Sequence, residues 1–204
     1  MNNKQLLLIG SSLLLLVSCA SETPQRKPAN TTALQQLVMQ QKEQEKTATL
    51  TLTTSDPLTV MAGGTFTVLV TLQNPAQTPI DSVRSWLTFD PTKLQVQSMD
   101  DENSAFDLAL ADEKKFDNTT GIVSIGRSSS TVQNGKSLLV EKIVFQALSR
   151  GDEATTAIDF YDYKENTEGH TGVYHLVDGV PYNILQEPRN TSLRLTILAN
   201  KIKR

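Results

Sequence analysis

Few residues of this 204-residue chain are of the types that make or break bonds. It has one cysteine, Cys19, and two histidines, His170 and His175, five positions apart around Gly172. A zinc site or a nucleophile–base pair needs further partners at motif spacing. None stands near the histidines, which therefore read as surface or hairpin residues. Asp159, Asp162, Glu165 and Glu168 recur about every third position, and hard oxygen ligands in a loop can hold calcium. Their spacing is not that of the helix-loop-helix calcium motif, and a solvated acidic loop is the better reading of them. Carboxylates held about 5 to 9 Å apart can hydrolyse glycosides, but these lie in a loop stretch with no aromatic cleft in sight. Ser128-Ser129-Ser130 lacks the glycine context of a nucleophile elbow, and reads as a polar loop. Asn118-Thr119-Thr120 and Asn190-Thr191-Ser192 fit the N-glycosylation pattern. The expectation is a protein that is not an enzyme and uses no metal or cofactor.

Cys19 offers chemistry of another kind. It closes the run Leu13-Leu14-Leu15-Leu16-Val17-Ser18-Cys19, behind a short stretch carrying Lys4. A positive residue, an apolar stretch of roughly 7 to 15 residues and small residues before a cleavage point make a secretory signal. Leu16-Val17-Ser18-Cys19 resembles the bacterial lipobox, which implies cleavage before Cys19 and diacylation of its thiol. An ordinary signal with a chance cysteine is the plainer alternative; a membrane span is disfavoured, because Leu6 to Val17 falls short of the about 20 residues needed. The expectation is a leader over residues 1–18 and a chain lipid-anchored through Cys19 outside the cytoplasm, at the outer membrane or cell surface. Ala20 is not the aspartate that retains some lipoproteins at the inner membrane.

Loss of Lys4 with the leader leaves 18 basic against 22 acidic residues, moving the net charge from −3 to −4. That balance argues against a nucleic-acid partner, which requires a basic patch. With the thiol consumed by lipid, no disulfide or cysteine nucleophile is available, and stability must come from packing. What remains fits one domain.

Ala20 to Asn30 is polar and proline-bearing, a composition that cannot bury enough surface to offset ordering. From Thr32 to Lys46 there is neither Gly nor Pro, and Leu34, Leu37 and Val38 fall at i, i+3, i+4, the spacing of a short amphipathic helix. Such a helix is marginal alone. Residues 19–46 thus read as a lipidated tether with a short helix or as tether throughout. After Thr47 the period becomes two. Thr47 to Thr53, Thr65 to Leu72, Ile80 to Phe89, Leu94 to Ser98, Gly121 to Arg127, Ser137 to Leu148, Thr155 to Phe160, Val173 to Val177, Val180 to Leu185 and Ser192 to Leu198 are strand candidates. Gly63-Gly64 marks a turn, and Asp178-Gly179 between apolar runs is a hairpin signal. Short strands without crossover helices predict an all-β antiparallel sandwich over residues 47–199, followed by a basic tail at 200–204.

The landmarks, in order, are a Gly-rich turn before Thr65-Phe66-Thr67-Val68-Leu69-Val70, then Leu87-Thr88-Phe89-Asp90-Pro91, Leu94-Gln95-Val96 and Gly121-Ile122-Val123-Ser124-Ile125. Ile143-Val144-Phe145-Gln146-Ala147 before Gly151 completes them. This series, from about Thr47 to Leu198, resembles the cohesin domain. The resemblance implies a nine-stranded jelly-roll sandwich, no catalysis, and a protein partner of the dockerin kind, a small calcium-loaded helical domain. Phe89 and Phe145 are expected to anchor the core.

In the resembled family the partner lies on the sheet face containing the strand that ends at Phe-Asp-Pro. Carried onto this chain, the outward positions of that strand are Ser82, Arg84, Trp86 and Thr88. Tryptophan and arginine dominate binding energy more often than other types. Two readings stand beside it. Trp86 is covered by Leu34, Leu37 and Val38, closing the face; or the chain is a carbohydrate-binding module on the same scaffold, taking a polysaccharide. The second expects a planar row of aromatics, whereas Trp86 is alone on its strand and Tyr161, Tyr163, Tyr174 and Tyr182 cluster late.

Overall fold

The computed structural model describes residues 46–148, 152–161, 171–186 and 192–199. Cys19 and the leader, Leu34, Leu37 and Val38, the acidic positions Asp162, Glu165 and Glu168, His170, Asn190 and the tail at 200–204 lie outside the described residues. The elements in order are β1 (Thr49–Thr53), β2 (Thr59–Met61), β3 (Thr65–Gln73), β4 (Ile80–Phe89), β5 (Leu94–Asp100) and β6 (Leu108–Asp117). They continue with β7 (Ile122–Gln133), β8 (Ser137–Ala147), β9 (Ala154–Phe160), β10 (Gly172–Val177), β11 (Val180–Asn183) and β12 (Leu193–Leu198). No described residue is helical.

Two sheets result. One has the order β1-β3-β8-β5; the other runs β11-β10-β4-β9-β12-β2, with β7 also paired to β4 and β6 to β7. All pairings between strands are antiparallel except β12 with β2. The period of two has its physical cause here, because each alternating strand turns one set of side chains to the space between sheets. In β3 the buried positions are Phe66, Val68, Val70 and Leu72; in β4 they include Val83, Leu87 and Phe89. Phe145 of β8 is fully buried, stacks on Phe66 of β3 at 5.7 Å and meets Phe89 of β4 edge-on at 5.3 Å. Phe89 thus carries the contact from one sheet to the other.

Twelve strands form where nine were expected, and two of them, β2 and β6, were not foreseen at all. β2 has three residues, too few for a periodic signal. β6 is an edge strand of mostly exposed residues, and its ladder with β7 breaks between Ala109 and Lys114, where Asp112 adopts a φ of 59°. The excursion removes the alternation that identifies a strand, and a bulged, charged edge resists pairing with other chains. The Asp178-Gly179 hairpin forms as expected: Val177 pairs Val180, and both turn residues have positive φ, 51° and 80°.

One charged group of side chains crosses the interior. Arg127 of β7 and Glu141 of β8 are almost wholly buried. Arg127 donates to Asp101 Oδ2 at 2.9 Å and to the Phe106 carbonyl at 2.7 Å, while its Nε stands 3.8 Å from Glu141 Oε2. Lys114 of β6 reaches Asp101 at 2.9 Å and Glu141 at 3.8 Å. Neither Glu141 oxygen accepts a hydrogen bond among the described residues, and burial pushes its carboxyl above the ordinary range despite Lys114 and Arg127.

Candidate functional site

The alternation of β4 sets Ser82, Arg84, Trp86 and Thr88 on the face opposite the core, each partly exposed. These are the four outward positions expected from the sequence, and one strand brings them into a single row. Their surroundings come from neighbours far away in the chain.

Arg84 lies between two glycines, paired with Gly126 of β7 on one side and Gly172 of β10 on the other. Each glycine is overlain by a side chain. A Cβ on Gly126 would stand 2.4 Å from both Cβ and Oε2 of Glu113, and one on Gly172 would stand 2.6 Å from the Tyr174 hydroxyl oxygen. Glu113 projects from the β6 excursion and pairs with Arg84 at 2.8 Å. Burial pushes the Tyr174 phenol up, with Arg84 opposing and Glu113 reinforcing, so its hydroxyl stays protonated at neutral pH. Arg84 is therefore held in place within the face, its charge met by Glu113.

The next row differs. Trp86 pairs with Ser124 of β7, which in turn pairs with Lys115 of β6. On the other edge of β4 the ladder passes from β9 to β10, and Thr171 fills the step. Its hydroxyl accepts from the Trp86 amide at 3.2 Å and donates to the Tyr161 carbonyl at 3.2 Å, while the Tyr161 amide donates to the Trp86 carbonyl at 2.7 Å. A hollow of about 190 Å³ opens over this row, walled by Trp86, Phe116 and Ile122, rimmed by Lys115, Asp117 and Thr120, and reaching Ser124. Asp117 contributes little free acceptor capacity. Its Oδ1 accepts from the amides of Thr119 and Thr120 and its Oδ2 from the Thr120 hydroxyl, which hold its carboxyl below the usual range.

Residues conspicuous in the sequence for other reasons have structural employment. His175 Nδ1 stands 3.4 Å from Asp81 Oδ2, which also accepts the Leu176 amide at 2.7 Å. Asn118 spends both ends of its side chain on the Val96 backbone, at 2.8 and 3.0 Å. Asp159 accepts from the Ser192 hydroxyl. Ser130 donates its amide to Asp107 at 2.8 Å. Among the described residues, no three His, Cys, Asp or Glu side chains cluster in a way that could hold a metal, and no helix is long and apolar enough to cross a membrane. Glu113, Lys115 and Phe116 were missed because β6 was missed. The usable signal was the Asp117-Asn118-Thr119-Thr120-Gly121 turn, whose Gly121 has a φ of 73° and donates to the Asp117 carbonyl, so that a strand was due on its near side as well as its far side.

The fold is a jelly-roll sandwich that turns one row of tryptophan, arginine and hydroxyl side chains outward from β4. The family model described as the cohesin domain matches residues 31–179, and the chain belongs to that family, whose members are non-catalytic modules of protein–protein interaction. Solved structures agree on the fold. The seventh ScaB type I cohesin of Pseudobacteroides cellulosolvens superposes with a TM-score of 0.53 at 16% identity, over 77% of this chain and 96% of that one. The cohesin module of a Clostridium perfringens family 33 glycoside hydrolase gives 0.50 at 14% identity, over 74% and 98%. The OlpA cohesin of a type I cohesin–dockerin complex from Clostridium thermocellum gives 0.50 at 14%, over 76% and 99%. No curated protein sequence matches the chain.

Proposed function

We propose that this chain is a lipid-anchored, extracytoplasmic docking module, and that the outer face of β4 with its neighbours β6, β7, β9 and β10 is where another protein, dockerin-like in kind, binds. In this reading Cys19 carries the lipid, residues 19–46 space the sandwich from the membrane, and residues 47–199 present the face. Two acyl chains suffice for stable anchoring where one is marginal. The observation that carries the docking assignment is the row of Ser82, Arg84, Trp86 and Thr88, outward on a central strand with a hollow beside Trp86, in a chain of the cohesin family. Trp86 supplies the large apolar contact; Arg84, fixed by Glu113, shapes the face around it.

The test is a binding titration of the full chain in detergent against a panel of dockerin modules, joined to capture of proteins from the producing cell. Binding that falls by a factor of ten or more in Trp86→Ala, with the fold intact by circular dichroism, supports the assignment. Unchanged binding overturns it. Mass spectrometry of the mature protein tests the anchor: a diacylated Cys19 as first residue is expected, and an unmodified start further along refutes it.

A further inference from the structure

Ser124 faces outward on β7, midway between Trp86 and Lys115, yet only 2% of it is exposed and its hydroxyl makes no hydrogen bond among the described residues. A buried hydroxyl without a partner costs free energy unless something completes it. Lys115, exposed at the rim of the same hollow, has no ion pair or hydrogen bond among the described residues. Among the described residues the neighbouring charges are largely engaged: Arg84 with Glu113 Oε1, Asp117 with its turn, Asp159 with Ser192; Glu113 Oε2, over Gly126, has no hydrogen-bond partner.

Among the described residues at the hollow, the Ser124 hydroxyl and the Lys115 ammonium thus stand without a partner. Both donate, so the chemistry that meets both is an acceptor, and the cation selects an anionic one. Trp86 and Ile122 offer apolar wall for a methylene stem. We infer that the partner's docking segment places an aspartate or glutamate side chain in this hollow, its carboxylate accepting from Lys115 Nζ and from Ser124 Oγ, its stem lying against Trp86. The inference rests on reading this face as the protein-docking surface and names what that surface selects. Lys115 is exposed on the edge strand and stands directly opposite Ser124, so its ammonium can reach a carboxylate that meets Ser124. Asp117, two residues further along β6 and also lining the hollow, repels the anion and favours the Lys115–Ser124 end.

The probe is N-acetylglutamate methylamide, titrated into the full ¹⁵N-labelled chain in detergent, with the N-acetylglutamine counterpart and galacturonate as controls. Perturbation of the Trp86 indole and Ser124 amide signals is expected with the glutamate probe, at least tenfold weaker with the glutamine one. Lys115→Glu abolishes the response and Lys115→Met weakens it about tenfold, because a charge-assisted bond is lost; Ser124→Ala weakens it severalfold. Equal response to glutamate and glutamine overturns the inference, and so does preference for galacturonate, which assigns the hollow to an acidic glycan. A protein partner whose capture is lost in Trp86→Ala but survives Lys115→Glu keeps the docking face and overturns the acidic contact alone.

Discussion

Gly126→Ala is the sharpest perturbation of the link between fold and face. The added methyl falls 2.4 Å from Glu113 Cβ, 2.4 Å from Glu113 Oε2 and 3.0 Å from Leu110 Cβ. Carbon atoms sit comfortably at about 3.5 to 4.0 Å. The β6 excursion must therefore lift by on the order of 1 Å, and the obstacle is not removed by a rotamer change, since Glu113 Cβ is fixed to its backbone. Overpacking of this kind costs about 1 to 3 kcal/mol. At roughly 2 to 4 °C per kcal/mol for a domain of this size, the melting temperature should fall by about 2 to 12 °C. The lift also stretches the 2.8 Å pair between Glu113 and Arg84. Trp86 is the sole tryptophan and lies two residues from Arg84 on the same face, so its emission reports both urea unfolding and the native-state rearrangement.

Glu113→Gly in the Gly126→Ala background removes the two nearest obstacles together. The double variant should be less destabilised than the sum of the single ones, a coupling of about 0.5 kcal/mol or more. Gly126→Ala within 0.5 kcal/mol of the parent, with unshifted Trp86 emission and no coupling to Glu113, would mean that Glu113 does not lie over Gly126 and that Arg84 is not braced as described.

Phe145→Ala removes the ring joining Phe66 to Phe89 and should cost on the order of 3 to 5 kcal/mol in urea denaturation; less than about 1.5 kcal/mol would place the centre of the core elsewhere. The interior charges give two further outcomes. Arg127→Met leaves Glu141 with Lys114, 3.8 Å away, as its remaining cation and should cost about 3 to 5 kcal/mol; adding Glu141→Leu should recover a part of it, since an apolar pair avoids the desolvation of both ions, while the lost bonds to Asp101 and the Phe106 carbonyl stay lost, and no recovery at all refutes the pairing. Because burial raises the Glu141 pKa in the folded state, the native protein binds more protons than the unfolded chain, and this group's contribution improves as pH falls from neutral toward the ordinary value of 4.5. Glu141→Gln should therefore melt higher than the parent at neutral pH, with the gap closing as the pH is lowered; a gap that widens on acidification contradicts the sign.

Much of this architecture is legible in the sequence wherever a strand has one wet and one dry side. Ser82 to Phe89 alternates without a break, the register shift between Ile80 and Ser82 aside, and the strand's ends and its outward row come out as expected. The reason is that register along such a strand is fixed by burial alone. β6 obeys no such rule: at the sheet edge few of its residues are buried, and the excursion at Asp112 breaks whatever periodicity remained. The hollow was illegible for the same cause, since three of its lining residues, Lys115, Phe116 and Asp117, belong to that strand. The two glycines beside Arg84 show a different limit. Nothing in the local sequence of Gly126 or Gly172 announces a role, because the role is to leave room for Glu113 and Tyr174, which arrive from other strands.

The same arrangement bears on how one fold takes different partners. The core is specified by alternation and by four buried phenylalanines, Phe66, Phe89, Phe106 and Phe145, and tolerates change on the outward positions, which contribute little to burial. Specificity then lies in the edge strand. β6 supplies Glu113 to neutralise Arg84 and carries Lys115, which has no ion pair among the described residues, so moving a single acidic residue along it would exchange which of the two cations is available. Glu113→Lys combined with Lys115→Glu makes that exchange: it frees Arg84 and places an anion at the hollow. If the edge strand sets the choice, the double variant keeps the fold but loses the response to N-acetylglutamate methylamide at Trp86. A response that persists would show that the central strand, not the edge, selects what binds.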